Sequence, residues 1–401
     1  MKKLLQRLIQ VAAYTAAGIV ILLAIAVGLF RLFLPRLPEY QEDIKRWASA
    51  AIGMEVEFSG MNARWGLSGP EVEFYDAELI SIVDEAQIVA AEEVIVGVGL
   101  MRLLVDRKFV IDRIVIRDTS IELRQLENGQ WLVQGSPPDQ LLPDRPKGAG
   151  GDVGRIEVIG ENIQLKILRP GDRRPRDFLI PRLVISRNDV RFAVDATIDL
   201  PDDLGDSVTV SAVQLLAEGD EKPAWDITVE ADDIELAGVS TLHTMETAKF
   251  NSGSGDLNLS LMIENGSVAS ATADLDFDDI GVEGTAGFSF NGRLEFLNDD
   301  DGWLLEANNF RLETENGVWP LSTLRVEAGM GSDKKIDMLN VRASYLKLTD
   351  ARVFRPWLKP EHQNLLSSYA PDGLVRNLAV TLGDVDTDSI RFNISADFER
   401  I

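Results

Sequence analysis

The chain has 401 residues, 65 acidic against 40 basic, a formal net charge of −25 and no cysteine. That balance excludes nucleic acid as a partner, because neutralising phosphates takes a basic surface. The missing cysteines exclude a disulfide framework and any thiolate metal site.

The first element is residues 8–30, LIQVAAYTAAGIVILLAIAVGLF, a run of 23 uncharged residues. At a helical rise of about 1.5 Å per residue it spans roughly 35 Å, enough to cross a bilayer. Lys2, Lys3 and Arg7 precede it, while Arg31 and Arg36 follow, so the positive-inside bias favours a cytoplasmic N-terminus. Ala24-Ile25-Ala26 fits a signal-peptidase pattern, but the apolar run exceeds a normal signal core. An uncleaved anchor is the expectation, with residues 1–37 as cytoplasmic stub and span.

Residues 38–134 form the next expected segment. In residues 40–53 Ile44, Trp47, Ala48, Ala51 and Ile52 make one helical stripe that Gly53 stops. Lipid or the first strands could cover that stripe, and periodicity does not separate the two.

From residue 54 the apolar period changes from 3.6 to 2. Val56 and Phe58 share a face, as do Val72 and Phe74, with a bulge expected at Tyr75-Asp76 before Ala77 and Leu79. Ile114 with Ile116, and Ile121 with Leu123, continue the pattern. A short helix is expected over 98–106, and a loop over 170–177.

Residues 135–154, rich in Pro and Gly, read as a linker or excursion loop. Beyond it, 155–401 is expected to continue the strands. In AWDITVEAD, Ile227 and Val229 oppose Asp226, Thr228 and Glu230; in GDLNLSLMI, Leu257, Leu259 and Leu261 oppose Asp256, Asn258 and Ser260. Leu275 and Phe277 alternate with Asp274, Asp276 and Asp278, and the last strand puts Phe392, Ile394 and Phe398 together. Turn signals at Asn128-Gly129, Asn265-Gly266, Asp301-Gly302 and Asn316-Gly317 predict a meander of consecutive antiparallel strands. Residues 354–369 give a second helical stretch, which Pro356 and Pro360 confine to short pieces.

The predicted fold class is therefore mainly β, a membrane helix followed by a long antiparallel sheet with few short helices. One apolar sheet face must be covered by something. Either the sheet folds onto itself as a sandwich, or it curls into a trough whose lining meets a hydrophobic ligand.

An ordered set of short motifs bears on that choice. It runs through Gly53-Met54-Glu55-Val56, Ala63-Arg64-Trp65, Gly69-Pro70-Glu71-Val72, Leu100-Met101-Arg102-Leu103-Leu104 and Gly129-Gln130-Trp131. Gly255-Asp256-Leu257 and Pro371-x-Gly373-Leu374 extend it loosely. In order and spacing the chain resembles the AsmA-like family, in its YhdP-type branch of bridge-like lipid transport proteins.

The resemblance implies an inner-membrane-anchored, single-pass periplasmic protein with a curled, chorein-like β-groove. It also implies phospholipid as cargo between inner and outer membranes, in support of outer-membrane integrity, with outer-membrane or periplasmic proteins as further partners. Such proteins are longer, and this sequence stops within a strand pattern, so it is expected to be the N-terminal part of a larger product or a truncated reading frame.

The groove lining expected from the alternation is Val56, Phe58, Val72, Phe74, Ile114, Ile116, Ile121, Leu123, Ile227, Val229, Leu257, Leu259, Leu261, Leu275, Phe277, Phe392, Ile394 and Phe398. No cofactor, metal or catalytic residue is expected. His243 and His362 have no patterned partners. The Asn298–Gly302 loop fails the EF-hand template and reads as an Asp-Gly turn. Ser252-Gly253-Ser254-Gly255 lacks a nucleophile-elbow pattern. The alternative to a lipid conduit is a membrane-tethered β-scaffold that docks envelope-assembly proteins.

Overall fold

The computed structural model describes residues 39–400 except 53–54, 67–68, 81–86, 100–110, 138–155, 173, 189, 216–223, 243–248, 300, 332–334, 359–362, 364–367, 369–370 and 384–390, together with residues 18 and 28. The anchor expected over 8–30 lies outside these residues but for Gly18 and Gly28, as do both histidines and nearly all of the helix expected over 98–106. Among the described residues no helix is long and apolar enough to cross a membrane. The chain divides into two compact units, Met1–Asp177 and Phe178–Ile401.

The first unit opens with helix α1 (Gln41–Ile52), whose first turn carries Glu42 and Asp43, favourably placed for the helix dipole. The strands that follow are β1 (Glu55–Glu57), β2 (Gly60–Trp65), β3 (Pro70–Ile80), β4 (Gln87–Val98), β5 (Ile111–Gln125), β6 (Trp131–Val133) and β7 (Ile156–Leu168). Helix α1 lies against β1. Lys45 Nζ stands 2.5 Å from Glu57 Oε2 and 5.1 Å over the Phe58 ring, and Ser49 Oγ accepts from Val56 N–H at 2.9 Å. Described residues of the helix thus engage the first strand.

β1 and β2 lie end to end along one edge of β3, with β4 on the other and β5 beyond it. Here the expected meander is corrected. β5 pairs with β7 in parallel, Arg113 opposite Glu157 through Arg124 opposite Leu168. β6 pairs antiparallel with Leu123, Arg124 and Gln125 on β5's other edge. A parallel partner needs a crossover of a dozen or more residues, and the stretch between Val133 and Ile156 supplies that length. The segments RIVIRD and SIELRQL also prove to be one strand, passing through a left-handed Asp118 (φ 52°).

The second unit holds β8 (Arg176–Arg187), which begins inside the loop expected over 170–177, then β9 (Arg191–Asp199), β10 (Ser207–Leu215) and β11 (Ala224–Glu235). A four-residue helix α2 (Leu236–Val239) precedes β12 (Phe250–Glu264), β13 (Ser267–Val282), β14 (Phe288–Asp299) and β15 (Gly302–Thr314). The short β16 (Gly317–Val318) precedes β17 (Ser322–Met330) and β18 (Ile336–Lys347). A 3-10 helix (Leu348–Trp357) leads to β19 (Leu374–Gly383) and β20 (Arg391–Glu399), so the second helical stretch begins earlier than its sequence pattern indicates.

From β8 onward every pairing in this unit is antiparallel between sequence neighbours, except that β15 pairs with β17 as well as the short β16. The sheet is open, since β20 has β19 as its one partner among the described residues.

The buried core of this unit gathers at one end of the strands. Ala307, Phe310, Leu312 and Trp319 form one buried cluster, and Ile280 and Val282 another. Leu236 of α2 packs on the second cluster, and the Trp357 ring of the 3-10 helix stands 6.3 Å from Phe250. Among the described residues the helical pieces thus cover the strand ends and leave the middle of the sheet to itself.

Candidate functional site

Cross-strand register shows what the middle of the second sheet presents. Starting in β8, Ile185, Val194, Ala212, Ile227, Leu261 and Ala271 are paired in turn across six strands. The same row continues through Phe296, Leu305, Val326, Val341, Val380 and Ile394 to β20. At about 4.8 Å between strands, the eleven gaps make an apolar row roughly 53 Å long. No residue of this row is fully buried, as it would be between two packed layers.

A second row lies beside it, from Leu183 through Ala196, Val210 and Val229 to Leu259. From there leucine and alanine alternate strand by strand: Leu259, Ala273, Leu294, Ala307, Leu324, Ala343, Leu378. A third, shorter row joins Ile198, Val208, Ala231, Leu257 and Leu275 and ends at Gly292, where a Cβ would come within 2.6 Å of Phe310 Cβ.

Three left-handed residues keep these rows on one face. Asp233 (φ 47°), Asp279 (φ 50°) and Asn309 (φ 52°) each sit in a bulge that adds one residue to its strand. Ile234, Ile280 and Phe310 beyond the bulges thereby stay in register with the apolar face. Asn and Asp tolerate this conformation better than other side chains with a Cβ.

The opposite face is ionic. Arg293 bridges Asp274 at 3.8 Å and Glu295 at 3.3 Å, and Arg325 reaches Glu306 at 2.5 Å. A hollow of about 670 Å³ lies on this polar face between β11 and β15, with Asp232, Asp256, Asp274 and Asp276 in its lining. Ala231, Leu257 and Leu275 also contribute to its lining, so the hollow is of mixed character. The Asp-Gly turn is ordinary: Asp299 Oδ1 accepts the N–H groups of Asp301 and Gly302 at 2.9 and 3.0 Å. Among the described residues no cluster of potential ligands could hold a metal ion.

The first unit does not repeat the division: its sheet is apolar on both faces. Ile95, Val115 and Ile159, paired in turn on the face that carries the Arg64 and Arg117 ion pairs, are 4%, 4% and 3% exposed. Ala63, Val72, Val96, Ile114 and Val158 form one paired row, and Met61, Phe74, Val94, Ile116 and Gly160 another. On the other face Arg64 holds Glu71 at 2.9 Å and Glu73 at 2.7 Å, and Arg117 joins Glu93 to Glu161 across three strands, both at 2.7 Å. The hydrogen bonds that Arg117 donates to Glu161 and then to Glu93 push its pKa further up, so it carries its charge at any working pH.

The expected lining residues therefore fall into place unevenly. Val72, Phe74, Ile114, Ile116, Ile227, Val229, Leu257, Leu259, Leu261, Leu275 and Ile394 lie in the rows. Ile121 and Leu123 pair with Leu165 and Ile167, Val56 pairs with Leu79, and Phe277 pairs with Phe290 beside the buried end. Phe392 and Phe398 extend the face onto β20 at 74% and 60% exposure. Phe58 is a correction. At 6% exposure beneath Lys45 and 4.9 Å from the Phe74 ring, it belongs to the core under α1. The alternation sets Ala273 on the same face as Leu275 and Phe277, but it does not single out Ala307 and Ala343, whose small side chains give a weak signal.

The sequence profile of the YhdP protein family matches residues 1–401. The chain belongs to the YhdP protein family. It is 23% identical over 412 aligned residues to the intermembrane phospholipid transporter YhdP of Escherichia coli (strain K12), an alignment that takes in 98% of this chain. The chain spans 31% of that relative's length.

Proposed function

We propose that the chain is a segment of a lipid conduit, carrying phospholipid between the inner and outer membranes on the apolar faces of its sheets. The observation that carries this reading is the 53 Å row of paired, part-open apolar residues (about eleven strand gaps) in a unit with no second sheet among the described residues. An acyl chain laid on it leaves water, each buried CH₂ contributing about 0.8 kcal/mol. Contacts are similar at every strand, so no position traps the tail, and movement along the row is diffusive.

Two features support a sheet curved around its cargo. Leucine alternating with alanine is how side chains fit a tapering, concave lining. Bulges at Asp233, Asp279 and Asn309 add local bend and twist to the strands that carry them. Residues 8–30 would hold the chain in the inner membrane with its N-terminus in the cytoplasm and the sheets in the periplasm, where the conduit sustains the outer-membrane barrier.

Photo-crosslinking in cells tests the reading. A benzophenone amino acid at Leu259 or Leu261 should capture phospholipid, and one at Asn258 or Ser260, on the ionic face, should not. Equal capture from both faces, or none from the apolar one, would overturn it. The latter result would favour a sealed scaffold that docks envelope proteins.

A further inference from the structure

We propose that the pocket beneath the 3-10 helix is an anion site for a phosphate ester, the head group of an amphiphile whose tail rests on the adjoining apolar end of the sheet. The assignment rests on phospholipid being the cargo. The pocket, about 560 Å³, is walled by the turn after β13 (Gly284, Thr285, Ala286), the turn after β15 (Thr314, Glu315, Asn316) and the helix itself.

Arg352 and Arg355 of the helix line it. At three residues per 3-10 turn they share one azimuth, and both can address one ligand. Among the described residues neither guanidinium has an ion-pair or hydrogen-bond partner, whereas Arg325 and Arg376, on neighbouring strands of the same sheet, do. Exposed arginines without a partner among the described residues also occur at Arg311 and Arg342; what distinguishes Arg352 and Arg355 is that both line one hollow. Thr349 Oγ1, also in the lining, is buried with no partner.

Two carboxylates share the lining. Asp350 is 1% exposed, and its oxygens already accept from Thr314, Asn316 and Trp319. Glu315 is exposed at the turn, so the hollow meets two guanidiniums against one free carboxylate. Guanidinium forks match phosphate oxygens in pairs, and a hydroxyl donor beside them completes an oxyanion's needs.

The second half of the argument is apolar. Phe354 and Trp357 of the same helix are 45% and 40% exposed, and Trp357 lies 6.3 Å from Phe250, which packs on the Ile280 and Val282 cluster. These rings stand about a third of a turn from the arginines on the same helix and give the tail of a phosphate ester apolar surface that a free ion would not use.

The test uses the full chain in a nonionic detergent, with short-chain phosphatidylglycerol and inorganic phosphate as separate probes. The R352Q/R355Q double variant should bind the lipid at least about tenfold more weakly, as expected for losing two charge-assisted contacts. R191Q, a substitution at an exposed arginine outside the pocket, should bind as the parent does. Phosphate should bind more weakly than the lipid and lose its binding in the same double variant. Unchanged lipid affinity in R352Q/R355Q overturns the site. Equal affinity for the two probes assigns free phosphate as occupant and overturns the head-group assignment. Crosslinking at Leu259 separates this from the conduit itself: capture that persists alongside unchanged R352Q/R355Q affinity removes the head-group site alone. Absent capture with Arg-dependent binding of short-chain lipid supports the pocket and removes the conduit alone.

Discussion

The indole N–H of Trp319 donates to Asp350 Oδ2 at 2.7 Å, joining the loop before β17 to the 3-10 helix that closes one end of the second sheet. Asp350 Oδ1 accepts from Asn316 Nδ2 at 2.8 Å and Thr314 Oγ1 at 3.1 Å. A carboxylate 1% exposed is tolerable because three donors replace its water. The same contact holds the helix that carries Arg352 and Arg355 against the strand ends.

Removing that acceptor should therefore be costly. Asp350→Ala strands three donors, two of them in part-buried positions, at about 3 kcal/mol or more in unfolding free energy. Trp319→Phe, which keeps the ring and removes one donor, should cost about 1–3 kcal/mol. Urea midpoints of the full chain followed by near-ultraviolet dichroism would read both, and a midpoint unmoved in Asp350→Ala would show the cluster to be dispensable.

Much of this fold is legible in the alternation itself. GDLNLSLMI and AWDITVEAD form strands with the faces their residues dictate. At the bulge expected over Tyr75-Asp76, Asp76 is left-handed (φ 48°), but the pairing with β4 stays in step and slips instead between Leu79 and Ile80. What local pattern could not carry is register. Ala273 and Ala307 are unremarkable until pairing sets each between leucines. The parallel β5–β7 pair depends on where a long connection returns, which no period in either strand records. Asp233 and Asn309 interrupt the period of two, so Ile234 and Phe310 look misplaced until the bulge restores their side. The Arg352–Arg355 pocket was invisible because two turns and a helix distant in sequence build it.

The bulges should be sensitive to side-chain shape and not to charge. Asn309→Val forces a β-branched residue to φ 52° at an exposed position, so packing plays little part. The expected loss is about 1–2 kcal/mol from the left-handed conformation. Asn309→Gly should be tolerated within a few tenths. Equal midpoints for the two variants would argue that the bulge does not constrain the strand.

An open apolar face and a sealed one respond differently to added bulk. Ala273→Leu inserts three carbons between Leu259 and Leu294. In a closed layer overpacking costs about 1–3 kcal/mol; on a part-open face the change should stay within about 0.5 kcal/mol. Leu259→Asp should likewise leave the chain folded, judged by far-ultraviolet dichroism, while abolishing lipid capture at Leu261. Unfolding of both variants would instead point to a packed interior.

Alkali should loosen the structure through two groups. Burial pushes the Tyr345 phenol above its ordinary value, opposed by the Arg376 guanidinium 5.6 Å from the ring. The hydrogen bond to Glu57, then burial acting against it, leave Lys45 above its ordinary value too. A folded-state pKa higher than the unfolded one adds stability that is complete below the unfolded value, about 10 for both residue types, and disappears as pH rises through the folded value. Stability should therefore be flat from about pH 8 and fall beyond about pH 10. Tyrosinate absorbance should rise late for two tyrosines, Tyr345 and Tyr75, the latter's phenol being held up by its hydrogen bond to Glu73. Tyr345→Phe should remove one late step and flatten part of the alkaline loss in urea midpoint. An alkaline profile identical in Tyr345→Phe and the parent would mean that the ring's burial at the covered end of the sheet has no hold on its proton.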